Sequence, residues 1–397
     1  MMATFAFFNS AAYGHVNPTL AIVKELVARG QRVIYYLTEE FRSMIETTGA
    51  ELRPVVIRPF EGIEKGNMSI GTLPSRLQQM TEQLLPPVLE YLRAEPPDFI
   101  VYDSTSLWAI FASRILNIPA ISLRSMYAAS DTATPMSPQR AHKFPFPMQE
   151  FIKANEALEA LSASYGLPPF NVRSMFNHTE PLNIVFLPRI FQPGGDLFDE
   201  SFVFVGPSIS EQRDAQNSLF LEKIDGRPLL YISLGTIFNN DWQRFLDMCF
   251  SAFRDTEWQV VLSLGKHASH IQLQDIPENF LIEDYVPQLE VLQRSRSFIT
   301  HGGMNSTMEG LYFGVPPIVV PQTVEQERTA QQVEKLGLGL QLDKETLTAE
   351  VLRNAVKQVA EDETLQPRLL FMQQEIQNAG GYRRAADEML AYTARHR

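Results

Sequence analysis

Two groups of residues could do chemistry: a histidine and an aspartate that each follow a β-rich block, His15 and Asp103, and a polar turn built around His301 and Glu309. His15 lies in the stretch Asn9-Ser10-Ala11-Ala12-Tyr13-Gly14-His15-Val16-Asn17-Pro18, and Asp103 opens Asp103-Ser104-Thr105. A carboxylate beside an imidazole orients the ring, fixes its tautomer and stabilises the imidazolium formed when the other nitrogen takes a proton. The pair therefore suits a general base. Taken singly, His15 reads as a loop residue that caps or packs, and Asp103 as a cap on the following helix. Only their convergence at one sheet edge makes function the better reading.

The second group runs Thr300-His301-Gly302-Gly303-Met304-Asn305-Ser306-Thr307-Met308-Glu309. Two glycines at a strand-to-helix turn let a ligand approach the backbone, and the helix N-terminus beyond them offers N–H donors and a positive dipole end. His301, Asn305 and Ser306 add side-chain donors, and Glu309, four residues after Asn305, shares its helix face and can accept from sugar hydroxyls. The Leu234-Gly235-Thr236 loop brings a further hydroxyl to the phosphates, and Glu325-Gln326 a carboxylate and an amide. Each is ordinary alone: Gly302-Gly303 a tight turn, Glu325 an acid in a helix's first turn. Together they describe phosphate donors beside hydroxyl acceptors, which matches a nucleotide sugar.

The elements that must position these groups alternate between short β-rich blocks and longer helical stretches, the pattern of parallel sheets covered by helices. In the first half strands are predicted near 4–9, 32–37, 51–57, 98–103 and 119–123, and in the second near 229–234, 259–264, 280–284, 297–301 and 317–321. A helix is predicted from Pro18 to Arg29, with Asn17 as N-cap, Pro18 at the first helical position and Gly30 closing it. Strand order 3-2-1-4-5 would make the first and fourth strands neighbours, so that His15 meets Asp103 and Gly235 meets His301. Residues 206–227 read as a linker after the strand FVFVGP. The proline-rich stretch 125–175 interrupts the first half and holds a helical segment near 150–165.

The 397 residues, 45% hydrophobic and 20% charged, suggest two or three domains at roughly 150 residues each. With 46 acidic residues against 34 basic ones the net charge is −12, which argues against nucleic-acid partners. It does not argue against a single diphosphate held by backbone N–H groups and neutral donors. Cys249 is the one cysteine and reads as a buried packing residue, consistent with a reducing compartment. No apolar run approaches the ~20 residues of a membrane span. Met1 to Asn9 lacks a basic n-region and reads as a first strand, so a cytoplasmic protein is expected.

The block YGHVNPTLAIVKEL, the 42 residues YVPQLEVLQRSRSFITHGGMNSTMEGLYFGVPPIVVPQTVEQ from 285 to 326, and the later LGLGLQL and NAGGYRRAADEML resemble the family 1 UDP-glycosyltransferases of the GT-B fold. Within that family the likeness is to the bacterial macrolide-glycosyltransferase-like group. It extends over nearly the whole chain, with little pattern in 60–95 and 125–175. The resemblance implies an α/β architecture of two doubly wound Rossmann-like domains facing across a cleft. These would be an acceptor-binding domain at 1–205, a UDP-sugar-binding domain at 228–375, and a C-terminal helix at 376–397 packing back on the first. It implies His15 as general base oriented by Asp103, Val286 (backbone) and Gln288 on the uracil with Tyr285 stacking near it, and Glu309 on the ribose. Thr236, His301, Gly303, Asn305 and Ser306 would hold the diphosphate, and Glu325 and Gln326 the sugar hydroxyls. Against the plant form of the signature, Tyr285 and Met304 stand at Trp positions, Glu325 replaces Asp, and the segment between Leu292 and His301 is two residues shorter.

The expected reaction is inverting transfer of a hexose, glucose first among them, from a UDP-sugar to a hydroxyl of an apolar acceptor such as a flavonoid or macrolide. Met126, Tyr127, Phe144, Phe146 and Met148 offer a pliable apolar wall for that acceptor. No cofactor is expected, and no metal either, because the chain has no Asp-x-Asp triplet to bridge one to a diphosphate. A monomer is expected. Rival readings are a UDP-sugar epimerase, a non-catalytic UDP-sugar-binding protein, and a dinucleotide oxidoreductase. The last is weakened because each first-strand loop has a lone glycine, Gly14 or Gly235, where G-x-G-x-x-G would stand.

Overall fold

The computed structural model describes residues 2–58, 72–129, 148–210, 218–235, 242–265 and 273–396. The chain divides into two compact units, Met1–Ser208 with Ala379–Arg397, and Ile209–Asn378. The division falls near the start of the 206–227 segment, so most of that segment belongs to the second unit, whose end lies three residues beyond the expected 375.

In the first unit a seven-stranded parallel sheet is formed by β1 (Thr4–Phe8), β2 (Arg32–Leu37), β3 (Glu51–Pro54), β4 (Phe99–Asp103), β5 (Ala120–Arg124), β6 (Asn183–Val185) and β7 (Phe202–Phe204). Their order is β3-β2-β1-β4-β5-β6-β7. The central strands are buried on both faces, hence their near-continuous apolar sequences. Side chains alternate between faces. Phe5, Phe7, Tyr35, Phe99 and Val101 pack on one side beneath the helices Tyr13–Ala28 and Gly381–Arg395. Ala6, Phe8, Tyr36, Ile100 and Tyr102 pack on the other beneath Leu73–Ala94, Leu107–Leu116 and Met148–Ser164. The C-terminal helix is fastened by Ala385, Ala386, Met389 and Tyr392, all buried in the first of these cores, and by the Gly381 N–H donating to the Val205 carbonyl at 2.7 Å.

The second unit holds a six-stranded parallel sheet of β8 (Leu229–Ser233), β9 (Gln259–Ser263), β10 (Phe280–Glu283), β11 (Ser295–Thr300), β12 (Pro317–Val319) and β13 (Leu340–Gln341), ordered β10-β9-β8-β11-β12-β13. Cys249 is fully buried on the helix Trp242–Phe253, and burial pushes its thiol well above the ordinary range. Among the described residues no helix is long and apolar enough to cross a membrane.

One local expectation is corrected. The first helix runs Tyr13–Ala28 and not from Pro18, and its N-cap is Ala12, with no side-chain cap. Ala12 is extended at φ −142°, and its carbonyl already accepts from the N–H groups of His15 (2.9 Å) and Val16 (3.0 Å). Pro18 therefore sits inside the helix, beyond its first turn, where its ring has no N–H for the carbonyl of Gly14 and one intrahelical bond is lost. Asn17 caps nothing, and His15 belongs to the first helical turn instead of a loop.

Candidate active site

In the first unit β1 pairs in parallel with β4, Phe8 opposite Tyr102, so the residues just past both strands emerge together at the carboxyl edge where strand order reverses. His15 Nδ1 lies 2.9 Å from Asp103 Oδ2. The aspartate is 2% exposed and the histidine side chain 22%, so the carboxylate is sealed beneath the ring while the ring reaches solvent. Asn9 Nδ2 donates to the His15 carbonyl at 2.9 Å and ties the helix start to the end of β1.

Three hydroxyls that sequence reasoning passed over complete the arrangement. Ser125 Oγ lies 3.2 Å from Asp103 Oδ2 and 3.3 Å from His15 Nδ1. Thr105 donates to Asp103 Oδ1 through its N–H at 2.9 Å and through its hydroxyl, and Ser10 Oγ lies 2.6 Å from Thr105 Oγ1. Burial opposes ionisation of Asp103, but the charge and hydrogen bond of His15 and the bonds from Thr105 outweigh it, holding the carboxyl below its ordinary value. An ionised carboxylate only accepts, so the proton between the pair rests on Nδ1 and Nε2 is the basic nitrogen. A visible signal existed for two of them: Ser10 and Thr105 stand in the same two sequence stretches that carry His15 and Asp103.

The second unit repeats the geometry. β8 pairs with β11, Ser233 opposite Thr300, which brings Gly235 to His301. The imidazole is 8% exposed, and burial pushes its pKa down to about 4, so it is neutral at pH 7. Its Cε1–Nε2 edge is clasped by two glycines: a Cβ built on Gly235 would stand 2.5 Å from Cε1, and one on Gly303 2.5 Å from Nε2. Gly235 also has φ +67°. Gly303 caps the helix Met304–Tyr312, whose first-turn N–H groups lack intrahelical acceptors. Asn305 and Ser306 are half-buried in that turn.

Glu309, 5% exposed, lies deeper on this helix and accepts from Gln288 Nε2 at 2.5 Å. Gln288 Nε2 also reaches Ser306 Oγ at 3.4 Å, while its Oε1 accepts from the buried Tyr231 hydroxyl at 3.0 Å. Gln288, Ser306 and Glu309 thus form one network, with Tyr231 as a member the sequence did not announce. Val286 is buried in the core of this unit and Tyr285 is 67% exposed. Glu325 is half-buried in the first turn of the helix Val324–Lys335. Gln326 is 4% exposed, and its Oε1 accepts the Gln322 N–H at 2.8 Å, which ties its amide to the loop.

Thr236, Phe144 and Phe146 lie outside the described residues. Of the other proposed acceptor-wall residues, Met126 and Tyr127 directly follow Ser125 and are half-buried, Tyr127 stacking on Phe191 with centroids 6.2 Å apart. Met148 is 62% exposed at the start of its helix.

Residues 248–379 match the family described as erythromycin biosynthesis protein CIII-like, C-terminal domain. The chain is 42% identical to the NDP-glycosyltransferase YjiC of Bacillus licheniformis, over 98% of this chain and 97% of that one. It is 30% identical to the oleandomycin glycosyltransferase of Streptomyces antibioticus, over 99% and 92%. Among solved structures it superposes on CalG4, the calicheamicin glycosyltransferase, with a TM-score of 0.83 and 29% identity over 99% of each chain.

Proposed function

The chain belongs to the GT-B glycosyltransferases of the macrolide-modifying group, which use an NDP-sugar donor and a small-molecule acceptor, and on that premise we propose that it transfers glucose from UDP-glucose to a hydroxyl of an apolar acceptor, with inversion. Because the family is one of transferases, the epimerase, oxidoreductase and non-catalytic readings are set aside. The observation that carries the proposal is the 2.9 Å contact of His15 Nδ1 with a buried, ionised Asp103.

In this reading His15 Nε2 takes the proton of the acceptor hydroxyl as its oxygen bonds to the anomeric carbon. The bond from that carbon to the diphosphate oxygen breaks in the same displacement, which inverts the configuration, and Asp103 stabilises the imidazolium left behind. Charge growing on the departing UDP meets the first-turn N–H groups and dipole of the helix Met304–Tyr312, with Thr236, His301, Asn305 and Ser306 as neutral donors. A neutral His301 supplies a hydrogen bond but no full charge, which throws weight on the backbone. Tyr285, Val286 and Gln288 receive the uracil, Glu309 the ribose, and Glu325 the sugar hydroxyls, joined by the amide nitrogen of Gln326. No metal is assigned a role.

The test is to incubate the protein with UDP-glucose and a flavonoid panel, with and without a chelator, and to look by mass spectrometry for a hexose-sized gain. Product should form equally in both. His15→Ala should lower kcat at least ~100-fold, the scale of a lost general base, with UDP affinity unchanged. Turnover at the wild-type rate in that variant would sink the base assignment.

A further inference from the structure

Three neighbouring strands each deliver one hydroxyl to the Asp103 carboxylate or its partner: Ser10 follows β1, Thr105 follows β4 and Ser125 follows β5. We propose that these hydroxyls are positioning residues that set how strongly Asp103 holds the His15 imidazolium, and so the pH at which the base becomes active. The inference rests on His15 being that base.

The directions of the bonds follow from chemistry. The carboxylate can only accept, so the Thr105 hydroxyl must give its proton to Oδ1. Its oxygen is then left as an acceptor, and the Ser10 hydroxyl 2.6 Å away must be the donor. The relay runs Ser10 to Thr105 to Asp103. On the other oxygen the Ser125 hydroxyl donates at 3.2 Å beside the His15 Nδ1–H at 2.9 Å. Each carboxylate oxygen thus has two donors. The Thr105 N–H bond is an ordinary strand-end turn from residue i+2 to the side chain of residue i, which the backbone supplies whatever the side chain at 105. The Ser10 and Ser125 hydroxyls come from distant parts of the chain and are not needed for that turn.

A donor aimed at a carboxylate draws off its negative charge, so every added hydroxyl weakens the pull of Asp103 on a protonated His15. Taking one away should therefore make the imidazolium easier to form and move the acid limb of kcat/KM upward. Among the described residues, Tyr35 of β2, which burial keeps protonated, and Arg124 of β5 feel the charge of Asp103. Neither changes charge near neutrality, so neither supplies the limb.

The experiment measures kcat/KM against pH, with UDP-glucose and a flavonol, for wild type and for Thr105→Val, Thr105→Ser, Ser10→Ala and Ser125→Ala. Thr105→Val keeps the N–H bond and the volume but loses the relay. Its acid limb should move up by about half a pH unit, which is about a threefold loss of kcat/KM below the limb, with KM for UDP-glucose unchanged. Thr105→Ser should restore the limb, and Ser10→Ala should move it the same way by less. A purely structural role would lower activity evenly at every pH, and that result, or an unmoved limb, overturns the inference. If Thr105→Val does not accumulate folded, Ser125→Ala and Ser10→Ala carry the same comparison. An active wild type, an inactive His15→Ala and unmoved limbs would refute the hydroxyl role alone. A wild type without turnover would refute the base reading, and this proposal with it.

Discussion

Gly303→Ala puts the nucleotide site to a one-methyl test. Gly303 has φ −60° and ψ 133°, which alanine adopts without strain, so the only penalty is contact. The new Cβ would lie 2.5 Å from His301 Nε2 and 2.9 Å from Cε1, about 0.9 Å inside ordinary van der Waals contact. The ring has no room to slide within its slot, because the same edge already abuts Gly235, so it must either swing out or bear the strain. Overpacking of this kind costs about 1–3 kcal/mol. If the imidazole swings out of its slot, a middle value of about 2 kcal/mol appears as roughly 30-fold weaker UDP binding. If it stays, the same energy appears as a Tm lower by about 4–8 °C for a unit of this size. Calorimetric titration with UDP and a thermal scan read both. Gly226→Ala is the control: its φ of +89° costs about 1–2 kcal/mol of backbone strain, with nothing within 4 Å of the new methyl, so Tm should fall while UDP affinity holds. A Gly303→Ala protein with UDP affinity within about twofold and Tm within about 1 °C of wild type would refute the clasped-ring account.

Further outcomes follow from individual groups. His301 takes a proton near its ordinary 6.5 when unfolded but only near 4 when folded, so the unfolded state binds more protons between these values. Stability should fall as pH drops through that window, by about 3 kcal/mol at its foot, and His301→Asn should flatten the dependence in thermal scans. Glu309→Ala removes a buried carboxylate that accepts from Gln288 and should raise the donor KM at least about tenfold; an unaltered KM would count against its ribose role. Met389→Ala hollows the contact of the C-terminal helix with the first unit and should cost about 2–5 kcal/mol in denaturant titration. A loss confined to the second unit's transition would contradict that placement.

The pairing of strand ends was legible because parallel strands buried on both faces are written as short β-branched and aromatic blocks, and because the common strand order makes the first and fourth neighbours. β6 and β13, three and two residues long, carry too little pattern to announce themselves. The helix start was misplaced because a local rule, proline at the first helical position, lost to the geometry of Ala12. The hydroxyls around Asp103 were passed over for a different reason, although two of them, Ser10 and Thr105, stand in the stretches that carry His15 and Asp103. Serine and threonine are common in strand-end loops, and the register of β1, β4 and β5 is what brings Ser125 to the other two. The hydrogen bond by which Gln326 accepts the Gln322 N–H was equally unannounced, since it depends on the local path of the loop.

Because residues 379–397 belong to the first unit while 209–378 form the second, synthesis and architecture run out of step. A growing chain finishes the whole of the second unit before the helix that covers Phe5, Phe99 and Val101 has been made. Domains fold as units as they emerge. The first-made strands therefore wait with one face of their sheet half-clad, and the His15–Asp103 pair sits in the unit that is completed last.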